Sequence, residues 1–310
     1  SGVDTVIVSA THAGATNIDT DGGNDVFNIS GTNGITTLTG GAGDDRFNIN
    51  YRPDGTTQTF INGIRAALTI RGQGGNDEYD LGLATTTQSS ITVDDNSGSN
   101  LMKAFGTTGV DRMRLQSDNL AGMSSNGLVV QAPVYFGTAY GTAGQFSGEI
   151  EMHGLDGADV IEVNSISNTT RLYGWGGSDT FNIGSDVATF GNDAGTMNQI
   201  NAALTIFGFR GIAGDSLNDL DTVNLDDGGD TAATGVTLAH NQTTGFSQIT
   251  AIPNPTAVPF TGRSALSPFA ITYAELEKLN LFLGKADNTV EVLSSAARTN
   301  ITITSREGND

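Results

Sequence analysis

The chain has 310 residues, 37% of them hydrophobic, which is enough for a sizeable core. Its 34 Asp and Glu against 14 Lys and Arg leave a net charge of −20, a sign that repels nucleic acid and anionic membrane surfaces and attracts cations. With no Cys there is neither a disulfide framework nor a thiolate metal site, and no apolar run is long enough for a membrane-spanning helix.

Gly is abundant at 42 and Pro scarce at 6, and together with plentiful Thr, Asn, Ser, Val and Ile this favours many short strands joined by tight turns, with little helix. Ser1-Gly2-Val3 opens the chain without a basic or apolar export signal, so the sequence reads as a segment of something larger.

Along the chain one motif recurs. A weak copy at Gly2-Val-Asp4 is followed by Asp21-Gly-Gly-Asn-Asp25-Val-Phe-Asn-Ile29, then Gly40-Gly-Ala-Gly-Asp-Asp45-Arg-Phe-Asn-Ile49 and Gly72-Gln-Gly-Gly-Asn-Asp77-Glu-Tyr-Asp-Leu81. Later copies are Gly154-Leu-Asp-Gly-Ala-Asp159-Val-Ile-Glu-Val163, Gly174-Trp-Gly-Gly-Ser-Asp179-Thr-Phe-Asn-Ile183 and Glu307-Gly-Asn-Asp310. Each has Gly two residues before the Asp and, where complete, continues into alternating polar and apolar residues, a turn feeding a short strand. Apolar runs such as Ile35-Thr-Thr-Leu38, Ala67-Leu-Thr-Ile70 and Ala203-Leu-Thr-Ile206 precede the turns, so the unit is strand, turn, strand.

Asp25 to Asp45 and Asp159 to Asp179 are both about twenty residues apart, which predicts coils of that length stacked with their Asp residues along one edge. The longer gaps from Asp45 to Asp77 and from Asp179 to Asp221 are expected to interrupt such a ladder, and Gly211–Asp221 reads as a solvated loop. A longer period is superposed, since Phe60–Gly72 matches Thr196–Gly208 and Ile91–Gly98 matches Val223–Asp230. The large repeats run over residues 1–147, 148–276 and the start of a third at 277–310. Leu101–Gly148 and Asn241–Ala270, richer in Pro, Met and aromatics, read as loops or lateral excursions.

Gly40–Asn48 fits every position of the nonapeptide Gly-Gly-x-Gly-x-Asp-x-apolar-x, the calcium-binding repeat of parallel β-rolls. Gly permits positive φ, which turns carbonyls inward, and Asp adds a carboxylate, together the hard oxygen donors that Ca²⁺ prefers. The residues placed in such turns are Asp25, Gly41, Gly43, Asp45, Gly75, Asp77, Asp159, Gly177, Asp179 and Asp310. The competing reading is that Gly-Asn-Asp and its variants are simply good turn formers in which Asp caps backbone amides and binds nothing.

The pairs Asp94-Asp95 and Asp226-Asp227 recur at one repeat position, which favours turn or metal roles over an acid–base pair acting on sugar. His12, His153 and His240 lie at no metal-pair spacing and read as surface or edge residues. Phe27, Phe47, Tyr79 and Phe181, two residues after the Asp, read as a stack in the core rather than a carbohydrate platform.

The motifs at Gly40–Asn48 and its degenerate copies resemble the repeats-in-toxin, or haemolysin-type, calcium-binding motifs of large bacterial secreted and surface proteins. The longer units around Asn62–Gly75 and Ile271–Gly284 look like repeats of very long extracellular proteins. The resemblance implies export, Ca²⁺ taken from the medium and a place in fibres, surface layers or adhesion, carried here onto Asp25, Asp45, Asp77, Asp159, Asp179 and Asp310.

The fold expected is all-β, a right-handed parallel β-helix or β-roll solenoid with irregular loop excursions. The function expected is a non-enzymatic, calcium-stabilised structural module, extracellular or at the cell surface. Its expected partners are calcium ions and further repeats or copies joined end to end, with no nucleic acid and no membrane insertion. An adhesive or carbohydrate-binding module is the alternative, for which an exposed aromatic cluster in the irregular stretches would be the mark; a polysaccharide-active enzyme comes third.

Overall fold

The computed structural model describes residues 2–53, 58–60, 63–83, 89–124, 133–137, 146–186, 194–208, 219–232, 234–251 and 271–310. Among these the secondary structure is all β, and no helix is long and apolar enough to cross a membrane. The chain divides into two compact units, Ser1–His153 and Gly154–Asp310.

In the first unit the strands are β1 (Thr5–Val8), β2 (Thr16–Asp19), β3 (Val26–Ile29), β4 (Thr36–Ala42), β5 (Arg46–Ile49), β6 (Tyr51–Pro53), β7 (Gln58–Phe60), β8 (Leu68–Gly74) and β9 (Glu78–Gly82). They continue as β10 (Ile91–Val93), β11 (Asp95–Phe105), β12 (Arg112–Gln116), β13 (Asn119–Met123), β14 (Val134–Tyr135) and β15 (Phe146–Asp156). Strands that follow the turns pair side by side in the order β1-β3-β5-β9-β11, to which β15, the strand leading into the turn at Asp159, is added, and those that precede the turns begin their own order β2-β4-β8-β10.

The second unit contains β16 (Val160–Val163), β17 (Thr170–Gly176), β18 (Thr180–Ile183), β19 (Leu204–Phe207), β20 (Thr222–Asp226), β21 (Gly235–His240), β22 (Ser247–Ala251), β23 (Ile271–Ala274), β24 (Lys278–Phe282), β25 (Thr289–Val292) and β26 (Asn300–Thr304). One order is β16-β18-β20-β24-β26 and the other β17-β19-β23-β22-β21-β25.

The pairing is mostly parallel and in register, so equivalent residues of successive repeats stand one above another. Phe27 pairs with Phe47 and Phe47 with Tyr79. Their rings stack at 4.6 and 5.2 Å between centroids, and none is accessible to solvent. Ile29, Ile49 and Leu81 form the next inward column, and in the second unit Ile161, Phe181, Val223 and Leu279 are the counterpart of the aromatic column. Because side chains alternate across a strand, the residues between them face outward: Asn182, Asn224 and Asn280 bond amide to carbonyl at 2.8 Å in a ladder of their own. The aromatic column is therefore core, as its position two residues after the Asp implies.

The long irregular stretches differ from their expected form. Leu101–Phe105 pairs in parallel with both β9 and β15, so it belongs to the stack. Between β11 and β15, β12 and β13 form an antiparallel hairpin that β14 extends. In the second unit β21 and β22 likewise form an antiparallel hairpin that joins β23 on one side and β25 on the other. Open backbone edges made these insertions extra strands rather than lateral loops, because unpaired strand amides are costly to leave beside a sheet. Residues 252–270 of the second stretch and 211–218 of the Gly211–Asp221 segment lie outside the described residues.

His153 also departs from expectation. It is buried, its Nε2 lies 3.2 Å from Glu151 Oε2, and its ring stacks on Phe105 at 4.7 Å.

Truncating the middle ring of the stack leaves a cavity that its fixed neighbours cannot fill. Phe47→Ala is expected to lower the unfolding free energy by about 3–5 kcal/mol, and Thr37→Ser on the outward face by under about 0.5 kcal/mol, in urea denaturation followed by circular dichroism.

Candidate functional site

The Asp residues at 25, 45, 77, 159, 179 and 221 are buried, and each turn is bonded to the next repeat through them. Asp4 N–H donates to Asp25 Oδ1 at 2.7 Å, Asp25 N–H to Asp45 Oδ1, Asp45 N–H to Asp77 Oδ1 and Asp77 N–H to Asn100 Oδ1, the last three at 2.8 Å. In the second unit Asp159 N–H donates to Asp179 Oδ1, Asp179 N–H to Asp221 Oδ1 and Asp221 N–H to Glu277 Oε2. A shorter run links Thr234 N–H to Asn288 Oδ1 and Asn288 N–H to Asp310 Oδ1.

The ladder therefore crosses the long gaps in sequence. Asp45 and Asp77, and Asp179 and Asp221, are adjacent rungs, so neither gap interrupts it. Asp221 is a buried rung and not part of a solvated loop. Asn100, Asn288 and Glu277 are rungs that the Gly–Asp pattern does not reveal, since what the position requires is a side-chain oxygen rather than an aspartate.

The residue before the Asp forms a second, outer ladder running the opposite way. Asp44 N–H donates to Asn24 Oδ1, Asn76 N–H to Asp44 Oδ1, Ser99 N–H to Asn76 Oδ1 and Asn309 N–H to Asp287 Oδ1. These outer side chains are exposed, and their pairing accounts for the recurrent Asn-Asp and Asp-Asp dipeptides.

Backbone geometry explains why the motif is degenerate at some positions only. Two residues before the Asp, Gly43, Gly75 and Gly177 have φ of 129, 143 and 117°, a region that a side chain all but forbids. A Cβ on Gly43 would also stand 2.0 Å from the carbonyl oxygen of Gly23. Four residues before the Asp, φ is 105° at Gly41 but 63° at Asp21, 78° at Gln73, 77° at Leu155 and 75° at Trp175. That is near the left-handed helical region, uncommon for non-Gly residues but accessible, so Gly is dispensable there.

Five residues before the Asp, a Cβ would meet the second carboxylate oxygen: Asp45 Oδ2 lies 2.0 Å from such a position on Gly40, and Asp179 Oδ2 2.2 Å from that on Gly174. The first glycine of the motif is the space this oxygen occupies. At Asp25 the position is Thr20, whose hydroxyl donates instead to Gly40 O at 2.9 Å.

Asp25, Asp45, Asp77 and Asp179 each keep Oδ2 buried and without a hydrogen-bond partner. An ionised carboxylate so placed is costly. Burial raises the Asp45 pKa, pushes Asp77 up to about 7 with the nearby Asp95 carboxylate adding to it, and pushes Asp179 to about 8 with the charge of Asp221 adding to it. At Asp77 three oxygens crowd the α-carbon of Gly72, where a Cβ would meet Asp77 Oδ2 at 2.1 Å, the Tyr79 hydroxyl at 2.3 Å and Asp95 Oδ2 at 2.5 Å. The Tyr79 hydroxyl donates to that Asp95 oxygen at 2.6 Å.

The other acidic pairs are placed differently. Asp94 is partly exposed and ion-paired with Arg71 at 3.5 Å. Asp227 is buried with both oxygens engaged, Oδ1 accepting from Met197 N–H and Oδ2 from the Thr234 hydroxyl, and its pKa rises to about 7 through burial. Asp310 is exposed, and hydrogen bonds from Ser305 and the Asn288 amide hold its pKa below the usual range. Among the described residues, no group of three or more His, Cys, Asp or Glu side chains is placed to hold a metal ion. A cation at the turns would take Oδ2 of the rung together with main-chain carbonyls.

Compared with known proteins, the chain matches no family model, no curated protein and no solved structure.

Two outcomes follow from the ladder. Asp45→Asn preserves the Oδ1 acceptor, as Asn100 does naturally, and is expected to keep the metal-free fold, whereas Asp45→Ala orphans the Asp25 amide and costs about 1–3 kcal/mol in denaturant titration. The raised pKa values of Asp77 and Asp179 mean that the folded chain holds protons which the unfolded chain, with ordinary Asp near 3.8, has released. Their contribution to stability is thus complete below about pH 4, declines as pH rises and is gone above about 8, so in chelator the midpoint of unfolding should fall from about pH 4 to about pH 8 and level off beyond. Asp179→Asn should flatten that decline.

Proposed function

We propose that the chain is a structural module of a large extracellular or cell-surface protein, a β-solenoid of stacked Gly–Asp turns stabilised by Ca²⁺. The supporting observation is the set of buried Oδ2 atoms of Asp25, Asp45, Asp77 and Asp179, to which no protein group donates a hydrogen bond. A hard divalent cation is what such oxygens, beside turn carbonyls, prefer, and it would remove the repulsion between rungs. Asp159 and the turns of Gly41, Gly43, Gly75 and Gly177 belong to the same positions.

The parallel, in-register strands and the residue-for-residue stacking support the solenoid reading. The handedness remains that of parallel crossovers generally. A structural role fits the acidic residues better than a catalytic one, because the ladder aspartates are held inward as acceptors for backbone amides. Apolar side chains exposed on the first and last strands and beside them, Val3, Ile7, Val292, Leu293 and Ile303, support association end to end with further repeats or another copy.

Thermal unfolding in Ca²⁺ and in excess chelator tests the reading. At a calcium concentration about a hundredfold above the dissociation constant, stability should rise by about 2.7 kcal/mol per independent site. The increment should shrink in Asp45→Asn, which keeps the ladder but loses a charged ligand. Superimposable melts would leave the ladder as a purely hydrogen-bonded device.

A further inference from the structure

Two rungs of the inner ladder are amides, and they differ from the aspartates in more than charge. Asn100 takes the Asp77 amide at Oδ1, and its Nδ2 donates to the Ser97 carbonyl of its own turn at 2.9 Å. Asn288 takes the Thr234 amide at Oδ1, and its Nδ2 donates to two carbonyls of its own turn, Gly284 O at 3.0 Å and Ala286 O at 2.8 Å. Both residues are buried, and the backbone amide that each must accept fixes which end of the side chain is oxygen.

An aspartate cannot make the second contact. At Asp25, Asp45, Asp77 and Asp179 the atom left over, once Oδ1 has accepted a backbone amide, is another acceptor, buried and with no donor. Carbonyl oxygens of the turns stand close to it: a Cβ on Gly174 would meet Asp179 Oδ2 at 2.2 Å and Gly208 O at 2.6 Å. Acceptor beside acceptor is bridged only by a proton or a cation, whereas an asparagine brings the bridging N–H on its own side chain.

The backbone of the Asn288 turn agrees. Two residues before the rung it has Ala286, where the aspartate turns carry the positive-φ glycines Gly43, Gly75 and Gly177. The side-chain amide gathers the carbonyls of this turn without such a glycine.

We propose that Asn100 and Asn288 stand in for the cation: their turns are closed by the side-chain amide and take no Ca²⁺. The inference rests on the calcium reading of the aspartate turns and says which turns are exempt from it. The choice of Asp or Asn at a rung then sets how many ions the chain takes and which turns keep their order without calcium.

Equilibrium dialysis against calcium, with metal counted per chain, and thermal melts in calcium and in chelator test this on the wild-type chain, Asn100→Asp and Asn288→Asp. Each substitution keeps the ladder acceptor, removes the internal donor and leaves a charged oxygen, so each should raise bound calcium by about one ion per chain. In chelator each should melt at least about 2 °C below wild type, and calcium should close that gap. Asn288→Ala, which removes acceptor and donor alike, should lose the same amount in calcium as in chelator. If wild type binds calcium while both variants bind no more of it, or calcium leaves their deficit in place, this inference is overturned and the calcium reading stands. Wild type that binds none overturns both. Failure of both variants to fold even in calcium also overturns the inference, since the ion should replace the amide.

Discussion

A carboxylate oxygen accepting the amide of the equivalent residue one repeat earlier is the interaction on which the rest of the architecture depends. It stands where the strand pairing on either side must stop, at the turn, and it supplies there the hydrogen bond that the sheets can no longer give. Because the bond joins equivalent positions, it holds successive turns in register, and register in turn stacks Phe27 on Phe47 and Phe47 on Tyr79. The glycines follow from it: one admits the second carboxylate oxygen, another carries the backbone through a conformation closed to other residues, and Gly23 and Gly43 approach too closely for a side chain.

The same arrangement creates an electrostatic problem that hydrogen bonding alone leaves half solved. Asp25, Asp45, Asp77 and Asp179 each accept a backbone amide at Oδ1 and leave Oδ2 buried without a donor, close to another carboxylate. A proton relieves this, and a cation bound at the same oxygens would compete with it. Where the rung is Asn100 or Asn288 no charge is present, and the ladder persists. The hydrogen bond and the charge are thus separable contributions of the aspartates.

Outward-facing positions are under no comparable constraint. In the first unit they hold Arg71, Asn48 and Asp80, and in the second Arg171, Thr205 and Phe207. Stacking dictates the inward residues and leaves the outward ones free to vary.

The strand–turn–strand unit, the all-β class, the buried aromatics and the identity of most rungs were legible in the sequence, because each depends on local chemistry: alternation, turn-forming Gly, and an Asp two residues after Gly43 or Gly177. What only the tertiary structure decided is which distant residues come into register. That Asp45 bonds to Asp77 and Asp179 to Asp221 across long insertions, that Asn100 and Glu277 serve as rungs, that His153 is buried on Phe105, and that Phe246 meets Phe207 all depend on strand pairing. Pairing energy is summed over whole strands, and a chain segment can leave and rejoin a stack at small entropic cost, so spacing in sequence does not reveal where it returns.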